Sequence, residues 1–369
     1  MIPLRYNKNR NTAFDDYIKT FKSRLDGWLS QEYVGDRRES KKVKKWKEER
    51  AKWSKDTQDV FNRLFPGLDT LSDDKDFLAS SYVIDTEAMR LFLYLRDTIG
   101  IDKLVDKSTR EMRKLVADVE KDYPGVKDHA SQTYTTIWRA FVDLGYKTLD
   151  LGKFIEATEA SVCPYCNRTF IGNIKITQKD KDGNEYIAEM KGELDHFISK
   201  DAHPYLALCR YNLVPSCPFC NRTKRNTVNP KVISPYDLND HSGIRFRMDI
   251  TGKHFTNLEE CSKAITIKVE DEARGVSMED NIKAFHLREI YSTHTDYAAE
   301  IYYKGRLKWN LIYKFWLKKV TSPLKGCNMT DDDVNRYVLG TYTNPEDFNK
   351  RPLSKFQHDL ALDAKIIKE

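Results

Sequence analysis

Apolar residues recur with helical spacing through the first 155 residues of the chain. One such segment begins with Ser108 and Glu111, which have the spacing of a capping box. A single apolar face follows them, made of Met112, Leu115, Val116 and Val119. Pro124 and Gly125 then stop the pattern. The sequence therefore predicts a core-facing helix between Ser108 and Pro124.

A second helical pattern runs from Asp85, a candidate N-cap, to Gly100, a candidate C-terminal stop. Its apolar face consists of Met89, Phe92, Leu95 and Ile99. Before it lies a charge-rich stretch, residues 36–56, with ten Lys or Arg, five Asp or Glu, and two tryptophans, Trp46 and Trp53. Two interpretations of this stretch stay open. It is either a solvated helix face with its tryptophans turned inward or a helix that contacts phosphates or a partner.

The pattern becomes strand-like after Cys163. Residues 170–176 and 185–190 flank a turn at 181–184, and residues 244–250 and 265–269 alternate as a second pair of strands. Helical patterns resume at 280–303 and around Phe315. This organisation predicts an α+β fold with three parts: a helical N-terminal domain (1–155), a central core (156–240), and a C-terminal region (241–369) in which helices follow a strand pair.

Composition narrows the class of protein. The 369 residues are 40% hydrophobic and include 20 Tyr, 17 Phe and 6 Trp, which excludes wholesale disorder. The net charge of +6 is small for this length and is weak evidence for a polyanionic partner. No apolar run reaches bilayer length, and no apolar signal core follows Met1. We therefore expect a soluble cytoplasmic protein that is not associated with a membrane.

Four of the seven cysteines form two C-x-x-C pairs, Cys163 with Cys166 and Cys217 with Cys220. Two such knuckles supply four thiolates, the ligand set of structural zinc. A redox C-x-x-C stands alone at a helix start, and a disulfide framework is not expected inside the cell. The remaining cysteines show no pairing and are interpreted as core residues: Cys209, Cys261 and Cys327.

Between and beside the knuckles lie the dipeptide Asp195-His196, then Asn212, then Asn221 directly after Cys220. In this order and spacing the segment resembles the HNH (ββα-metal) endonuclease family over roughly residues 160–236. The resemblance implies a zinc-clamped ββα-metal nuclease core flanked by mainly helical regions. In that family the first His ends one strand of a hairpin and the last Asn or His lies on the following helix.

The resemblance also assigns roles. It implies that His196 is the general base, that Asp195 and Asn221 bind Mg²⁺ or Mn²⁺, and that Asn212 orients His196 by tying the intervening loop. The residue types suit this chemistry, because phosphodiester hydrolysis needs a base for water and a cation for the phosphorane, and hard oxygen ligands suit Mg²⁺ rather than zinc. Taken singly, each of these residues has an ordinary structural interpretation as a turn, core or cap residue. Glu193, two residues before Asp195, is a weaker candidate for the metal site.

Charge placement favours a nucleic-acid substrate, with DNA favoured over RNA. Residues 202–236 contain no Asp or Glu, and three basic residues follow Asn221 closely: Arg222, Lys224 and Arg225. We expect them to contact phosphates beside the cut. Arg210 and Lys231 add to this basic stretch.

The wider chain, including Ser234-Pro235-Tyr236 and the tail at residues 350–355, resembles the larger HNH proteins found beside ATPases in bacterial anti-phage systems of the Septu type. That resemblance implies an effector nuclease with an ATPase partner. The chain itself has no G-x-x-x-x-G-K-[ST] loop, and four tryptophans are candidates for a partner interface: Trp46, Trp53, Trp309 and Trp316. Two other classes remain open, a non-catalytic zinc module that binds nucleic acid or protein, and a structural subunit of an ATPase complex with a vestigial site.

Overall fold

The structure is a computed structural model. The residues it describes are 1–6, 12–33, 51–55, 58, 86–190, 192–224, 231–238, 243–252, 254–273, 275–306, 312–321 and 329–368. The chain divides into two compact units. One, here called the cysteine unit, consists of Met1–Lys8, Gly152–Asp195 and Val214–Glu369; the other, the helical unit, consists of Asn9–Leu151 and His196–Leu213.

The helical unit follows the amphipathic patterns of the N-terminal sequence. Its described α-helices are α1 (Thr12–Tyr33), α2 (Thr86–Leu93), α3 (Ile101–Val105), α4 (Thr109–Asp122) and α5 (Gln132–Trp138). Helix α2 continues as a π-helix, Tyr94–Gly100, and α5 as another, Arg139–Asp143. Large side chains such as Phe21 and Phe141, whose rings lie 6.0 Å apart, fill its interior.

Helix α4 begins at the predicted capping box. The Ser108 hydroxyl accepts from the Glu111 backbone N–H, and the Glu111 carboxylate accepts from the Ser108 backbone N–H. Its described core residues are Met112, Leu115 and Val119, and the helix ends at Asp122, before Pro124. The helix predicted between Asp85 and Gly100 ends where expected, because Gly100 has a positive φ of +84° and separates the π-helix from α3. Its start at Asp85 lies outside the described residues.

Residues 196–213 pack within the helical unit although they lie far from it in sequence. The Cys209 thiol donates to the Leu104 carbonyl oxygen at 3.1 Å. The Arg210 guanidinium contacts Asp15 at 3.0 Å and also pairs with Asp106. This segment lies inside the central core predicted for residues 156–240, so the compact units do not follow that predicted boundary. The N-terminal boundary predicted near residue 155 lies close to the change of unit at Leu151 and Gly152.

The described strands form three two-stranded sheets, in which β1 pairs with β2, β3 with β4 and β5 with β6. Their bounds are β1 (Ile174–Lys179), β2 (Glu185–Met190), β3 (Glu193–His196), β4 (Leu213–Ser216), β5 (Ile244–Ile250) and β6 (Ile265–Asp271). The predicted hairpin and the predicted C-terminal strand pair are both present and antiparallel. The first strand begins at Ile174 rather than at residue 170.

The remaining helices belong to the cysteine unit, apart from the first residue of α6. They are α6 (Leu151–Ala157), α7 (Pro218–Lys224), α8 (Leu258–Lys263), α9 (Glu279–Ala284), α10 (Leu287–Tyr291), α11 (Thr295–Arg306), α12 (Ile312–Thr321), α13 (Asp331–Leu339) and α14 (Ser354–Asp363). The β5–β6 sheet packs on this layer: the Phe246 ring lies 4.3 Å from that of Tyr291 and 5.4 Å from that of Phe356. The mixture of helices and small sheets is consistent with the predicted α+β class.

No helix in the described part of the chain is both long enough and apolar enough to cross a bilayer. Most of the charge-rich stretch at 36–56, including Trp46, lies outside the described residues, as do Trp309, Arg225 and Cys327. Cys209 and Cys261 are buried, as predicted for core cysteines.

Candidate zinc centre and adjoining polar site

Four cysteine side chains of the cysteine unit converge in its interior. Cys163 and Cys166 lie in a turn after α6, Cys217 directly precedes α7, and Cys220 lies in its first turn. Their sulfurs all lie within 4.8 Å of one another, and all four residues are buried. The Cys166 and Cys217 sulfurs are 3.9 Å apart, close to the ~3.8 Å expected between two thiolates bound tetrahedrally to zinc. The predicted joining of the two knuckles is confirmed as a cluster that could hold a metal ion.

The pKa shifts of the four thiols differ in direction: burial raises the pKa of Cys163, and hydrogen bonding with Cys163 raises that of Cys220. Hydrogen bonding from the Cys163 thiol lowers the pKa of Cys217 and also that of Cys166. The backbone N–H groups of Arg168 and Cys220 point at the Cys166 and Cys217 sulfurs, at 3.4 and 3.5 Å. The thiolate is the metal-binding form of cysteine, and among the four sulfurs the surroundings of Cys166 and Cys217 favour it.

Asn167 anchors the first knuckle and is not singled out by sequence reasoning. It has a left-handed φ of 53°, a conformation that Asn tolerates better than most residues. Its side-chain amide donates to the Phe348 carbonyl at 2.8 Å and accepts from the Lys355 backbone N–H at 3.0 Å. Its backbone carbonyl accepts from Leu353 N–H at 2.6 Å. An Asn directly after C-x-x-C is the signal that could have identified this position.

Asp195 lies on β3, two residues after Glu193, and both of its carboxylate oxygens have partners. The Tyr165 hydroxyl donates to Oδ2 at 2.6 Å, and the Lys224 ammonium lies 2.8 Å from Oδ1. The Asp195 and Lys224 side chains are only 5% and 6% exposed. Burial, together with the Asp195 charge, raises the pKa of the Tyr165 hydroxyl well above its usual value, so it remains a proton donor.

Asn221 forms a second contact between α7 and β3. Its side-chain amide donates to Glu193 Oε2 at 2.7 Å. Glu193 and Asp195 lie on one face of strand β3, and Asn221 and Lys224 lie on one face of helix α7. The two contacts therefore lie side by side between the strand and the helix. Each predicted oxygen ligand therefore has a partner on the opposite element: Asp195 of β3 contacts Lys224 of α7, and Asn221 of α7 contacts Glu193 of β3.

His196 is the last residue of β3 and belongs to the helical unit. Its Nε2 atom lies 3.1 Å from the Ala207 carbonyl oxygen. A carbonyl can only accept a hydrogen bond, so Nε2 carries the proton, and the basic lone pair of the neutral ring is on Nδ1. The Tyr146 ring meets the imidazole edge-on at 4.5 Å, and His196 is 8% exposed.

Asn212 closes the loop that follows His196. Its side chain donates to the carbonyls of Ile198 and Leu206 at 3.0 and 3.1 Å, and accepts from the Ile198 N–H at 2.6 Å. Its backbone carbonyl accepts from Phe197 N–H at 2.8 Å. These are side-chain to backbone bonds of the kind implied by the resemblance, and the effect of Asn212 on catalysis stays a prediction.

The basic stretch is less available to phosphates than its sequence indicates. Lys224, which was predicted to contact phosphates, is buried against Asp195, and Arg210 is buried against Asp15 and Asp106. The fold can bury both side chains because a carboxylate from elsewhere in the chain compensates the charge of each. The Arg222 side chain is 79% exposed, 3.8 Å from Glu193, and Lys231 is also exposed. Arg225 lies outside the described residues.

Comparisons of this chain with protein-family models, with curated proteins and with solved structures found no match.

Proposed function

We propose that the chain is a metal-dependent endonuclease that hydrolyses phosphodiester bonds of nucleic acid, with DNA the favoured substrate. The observation that carries this proposal is the state of His196. Its Nε2–H donates to the Ala207 carbonyl, so the basic nitrogen of the neutral ring is Nδ1. The adjacent residue, Asp195, is a carboxylate with a cationic partner. This hydrolysis needs at least a base and a carboxylate that binds a cation, and the two candidates are consecutive in the sequence.

In this mechanism His196 Nδ1 takes the proton from the attacking water. Asn212 keeps the loop of residues 197–211 closed, so that the Ala207 carbonyl stays in place and holds the imidazole in one tautomer. The order of elements also supports the proposal: strand β3 ends at His196, strand β4 pairs with it, and helix α7 carries Asn221.

The donor set near Asp195 fits a divalent cation. The Lys224 ammonium lies at hydrogen-bond distance from Oδ1, so this carboxylate already has a cation as its partner. Asp195 and Asn221 would hold Mg²⁺ or Mn²⁺ through oxygen atoms, the ligands these ions prefer. When bound, such an ion stabilises the charge that builds on the phosphate and on the leaving oxygen.

The four-cysteine cluster has a structural role in this proposal. It joins the turn that carries Tyr165 to the start of α7, and Tyr165 in turn holds Asp195. We propose zinc as its ion, because four thiolates are the usual ligand set of structural zinc. The catalytic ion and the zinc are separate ions.

From the Septu-type resemblance we further propose that the nuclease is the effector of a bacterial anti-phage system and acts in the cytoplasm with an ATPase partner. Arg222 and Lys231 are the described residues of the basic stretch that remain exposed for phosphate contacts.

A non-catalytic zinc module is the second candidate, and one observation favours it. Both oxygens of Asp195 have protein partners, as expected of a structural ion pair. The two candidates differ in their need for His196: the nuclease requires this residue for cleavage, whereas a module that only binds does not require it.

The test is metal-dependent cleavage of plasmid DNA and of RNA by the zinc-loaded chain and by its ATPase complex. His196→Ala should reduce cleavage by at least 10²-fold, with zinc content and DNA affinity unchanged. His254→Ala, at an exposed histidine of the cysteine unit, is the matched control and should retain activity. Equal cleavage by His196→Ala and the wild type would refute the proposal, and DNA binding without cleavage in every preparation would favour the zinc module.

A further inference from the structure

Lys224 and Asp195 form a buried ion pair at the centre of the proposed metal site. Lys224 is the last described residue of α7, three positions after Asn221, and its ammonium lies 2.8 Å from Asp195 Oδ1. Two further polar contacts lie beside this pair: the Tyr165 hydroxyl donates to Asp195 Oδ2, and the Asn221 amide donates to Glu193 Oε2. One oxygen of Asp195 is therefore held by a neutral donor and the other by a cation.

We propose that Lys224 is an exchangeable occupant of the metal site, which holds Asp195 in the metal-free protein and releases Oδ1 when a divalent cation binds. This inference rests on the proposed function and concerns the regulation of the same site. Lys224 is then a positioning residue, acting through Asp195.

Charge explains why the two cations exclude each other. A buried carboxylate without a cation is costly, so some positive group must stay beside Asp195 at every stage. A divalent ion on Asp195 would repel an ammonium that remained within hydrogen-bond distance of the same carboxylate. The Tyr165 hydroxyl has no charge, so its bond to Oδ2 is compatible with either occupant.

Position and flexibility also suit an exchange. The ammonium is carried on a flexible four-carbon stem, so it can change its position by side-chain rotation while the α7 backbone stays in place. Tyr165 cannot leave in this way, because it lies between the ligands Cys163 and Cys166 and stacks on Phe285 with ring centroids 4.2 Å apart. Asp195 is thus held by Tyr165, which is fixed in place, and by Lys224, which can be displaced.

Exchange makes Lys224 a competitor of the metal. The apparent metal affinity is reduced by the fraction of molecules in which Lys224 occupies Asp195, and removing the ammonium restores the intrinsic affinity. Lys224→Met keeps the apolar stem and removes the charge. It should bind Mn²⁺ about tenfold or more tightly than the wild type, whereas a purely structural ion pair would give unchanged or weaker binding after its loss.

The experiment measures Mn²⁺ binding to the full zinc-loaded chain by calorimetry and by electron paramagnetic resonance, without nucleic acid. The variants are Lys224→Met, the control Lys263→Met at an exposed lysine of α8, and Tyr165→Phe. Lys263→Met should match the wild type. Tyr165→Phe should bind Mn²⁺ more weakly, since Asp195 loses its neutral support while Lys224 stays.

A second measurement needs only the wild-type protein, so it holds even if Lys224→Met fails to fold. Acylation of lysines, followed by mass spectrometry, should show Lys224 protected without Mn²⁺ and reactive at saturating Mn²⁺. Wild-type Mn²⁺ binding with Lys224 still protected, or no gain of affinity in Lys224→Met, would overturn this inference and leave the proposed nuclease intact. Absence of Mn²⁺ binding in the wild type and in Lys224→Met would overturn the metal-dependent function as well.

Discussion

At the scale of single residues, the chemistry of a side chain depends on what the fold places beside it. Lys224 and Arg210 look equivalent to Arg222 in sequence, as basic residues in a stretch free of acids. In the structure the first two are buried against carboxylates from distant parts of the chain, Asp195 and Asp15. The partners lie 29 and 195 positions away, so no local pattern could have identified them.

The cysteine ligands give a prediction at this scale. Cys217→Ser removes one of four thiolates, and structural zinc contributes folding free energy on the order of 10 kcal/mol. We expect the variant to lose the metal and to melt at a clearly lower temperature. Zinc analysis and thermal unfolding measure both effects.

Cys261→Ser, at a buried cysteine outside the cluster, is the control for that experiment. It should keep its zinc. A Cys217→Ser protein with wild-type zinc content and stability would show that the cluster is not a metal site.

At the scale of elements, the sequence predicted those helices and strands whose formation depends on local interactions. The capping box of α4 needs only Ser108 and Glu111, and the alternation of β5 and β6 needs only that one face be buried. The π-helical turns at Tyr94–Gly100 and Arg139–Asp143 were not predicted, because their extra residue per turn depends on packing. Strands β3 and β4 have four residues each and were recognised only through the motif that they carry.

Ser108→Ala tests the capping of α4. Loss of the N-cap hydroxyl should lower the free energy of unfolding by about 1 kcal/mol, as measured by urea titration. Lys114→Ala, at an exposed site within the same helix, should change it by less than about 0.5 kcal/mol. A Ser108→Ala protein as stable as the control would mean that the cap does not support the fold.

Glu279, in the first turn of α9, gives a prediction of pH dependence. Paired hydrogen bonds from the Arg288 guanidinium lower its pKa to about 2 from 4.5. Because the folded pKa is depressed, this contact stabilises the protein above pH 4.5 and the stabilisation is lost as the pH falls towards 2. Glu279→Gln should therefore be less stable than the wild type at pH 7, by about 0.5 kcal/mol at this partly exposed site.

That difference between Glu279→Gln and the wild type should vanish as the pH approaches 2. Denaturant titrations at several pH values measure it. Glu346→Gln, at an exposed carboxylate elsewhere, is the control. A difference that grows with acid would have the wrong sign and would exclude this assignment.

At the scale of the whole molecule, residues that follow one another in the sequence belong to different compact units. The motif from Cys163 to Lys224 reads as one continuous core, yet residues 196–213 pack with residues 9–151. The loop that contains Asn212 and follows His196 is therefore supported by distant helices, as the contact of Cys209 with Leu104 shows. Order and spacing along a motif could not reveal this, because long-range packing is not encoded in spacing.

This grouping determines how the proposed ATPase partner can be tested. Deletion of residues 1–150 would remove the packing of the His196 loop as well as any docking surface within those residues, so the intact chain must be used. Among the candidate tryptophans, Trp53 is buried, whereas Trp316 on α12 is 53% exposed and lies one turn before Val320, which is 49% exposed. An exposed aromatic with an aliphatic neighbour on the same helix face is typical of an interface centre.

We predict that the tagged, intact chain purified from its native host brings an ATPase with it. The double variant Trp316→Ser, Val320→Ser should reduce that recovery at least tenfold, because loss of a large aromatic at an interface centre costs 2 kcal/mol or more, that is, roughly thirtyfold in affinity. Val276→Ser, at an apolar residue 71% exposed elsewhere in the cysteine unit, is the control for the loss of an exposed valine and should retain the partner. Recovery of the chain alone, with cleavage that does not respond to ATP, would contradict a partnered nuclease. Full recovery by the double variant would place the docking surface away from α12.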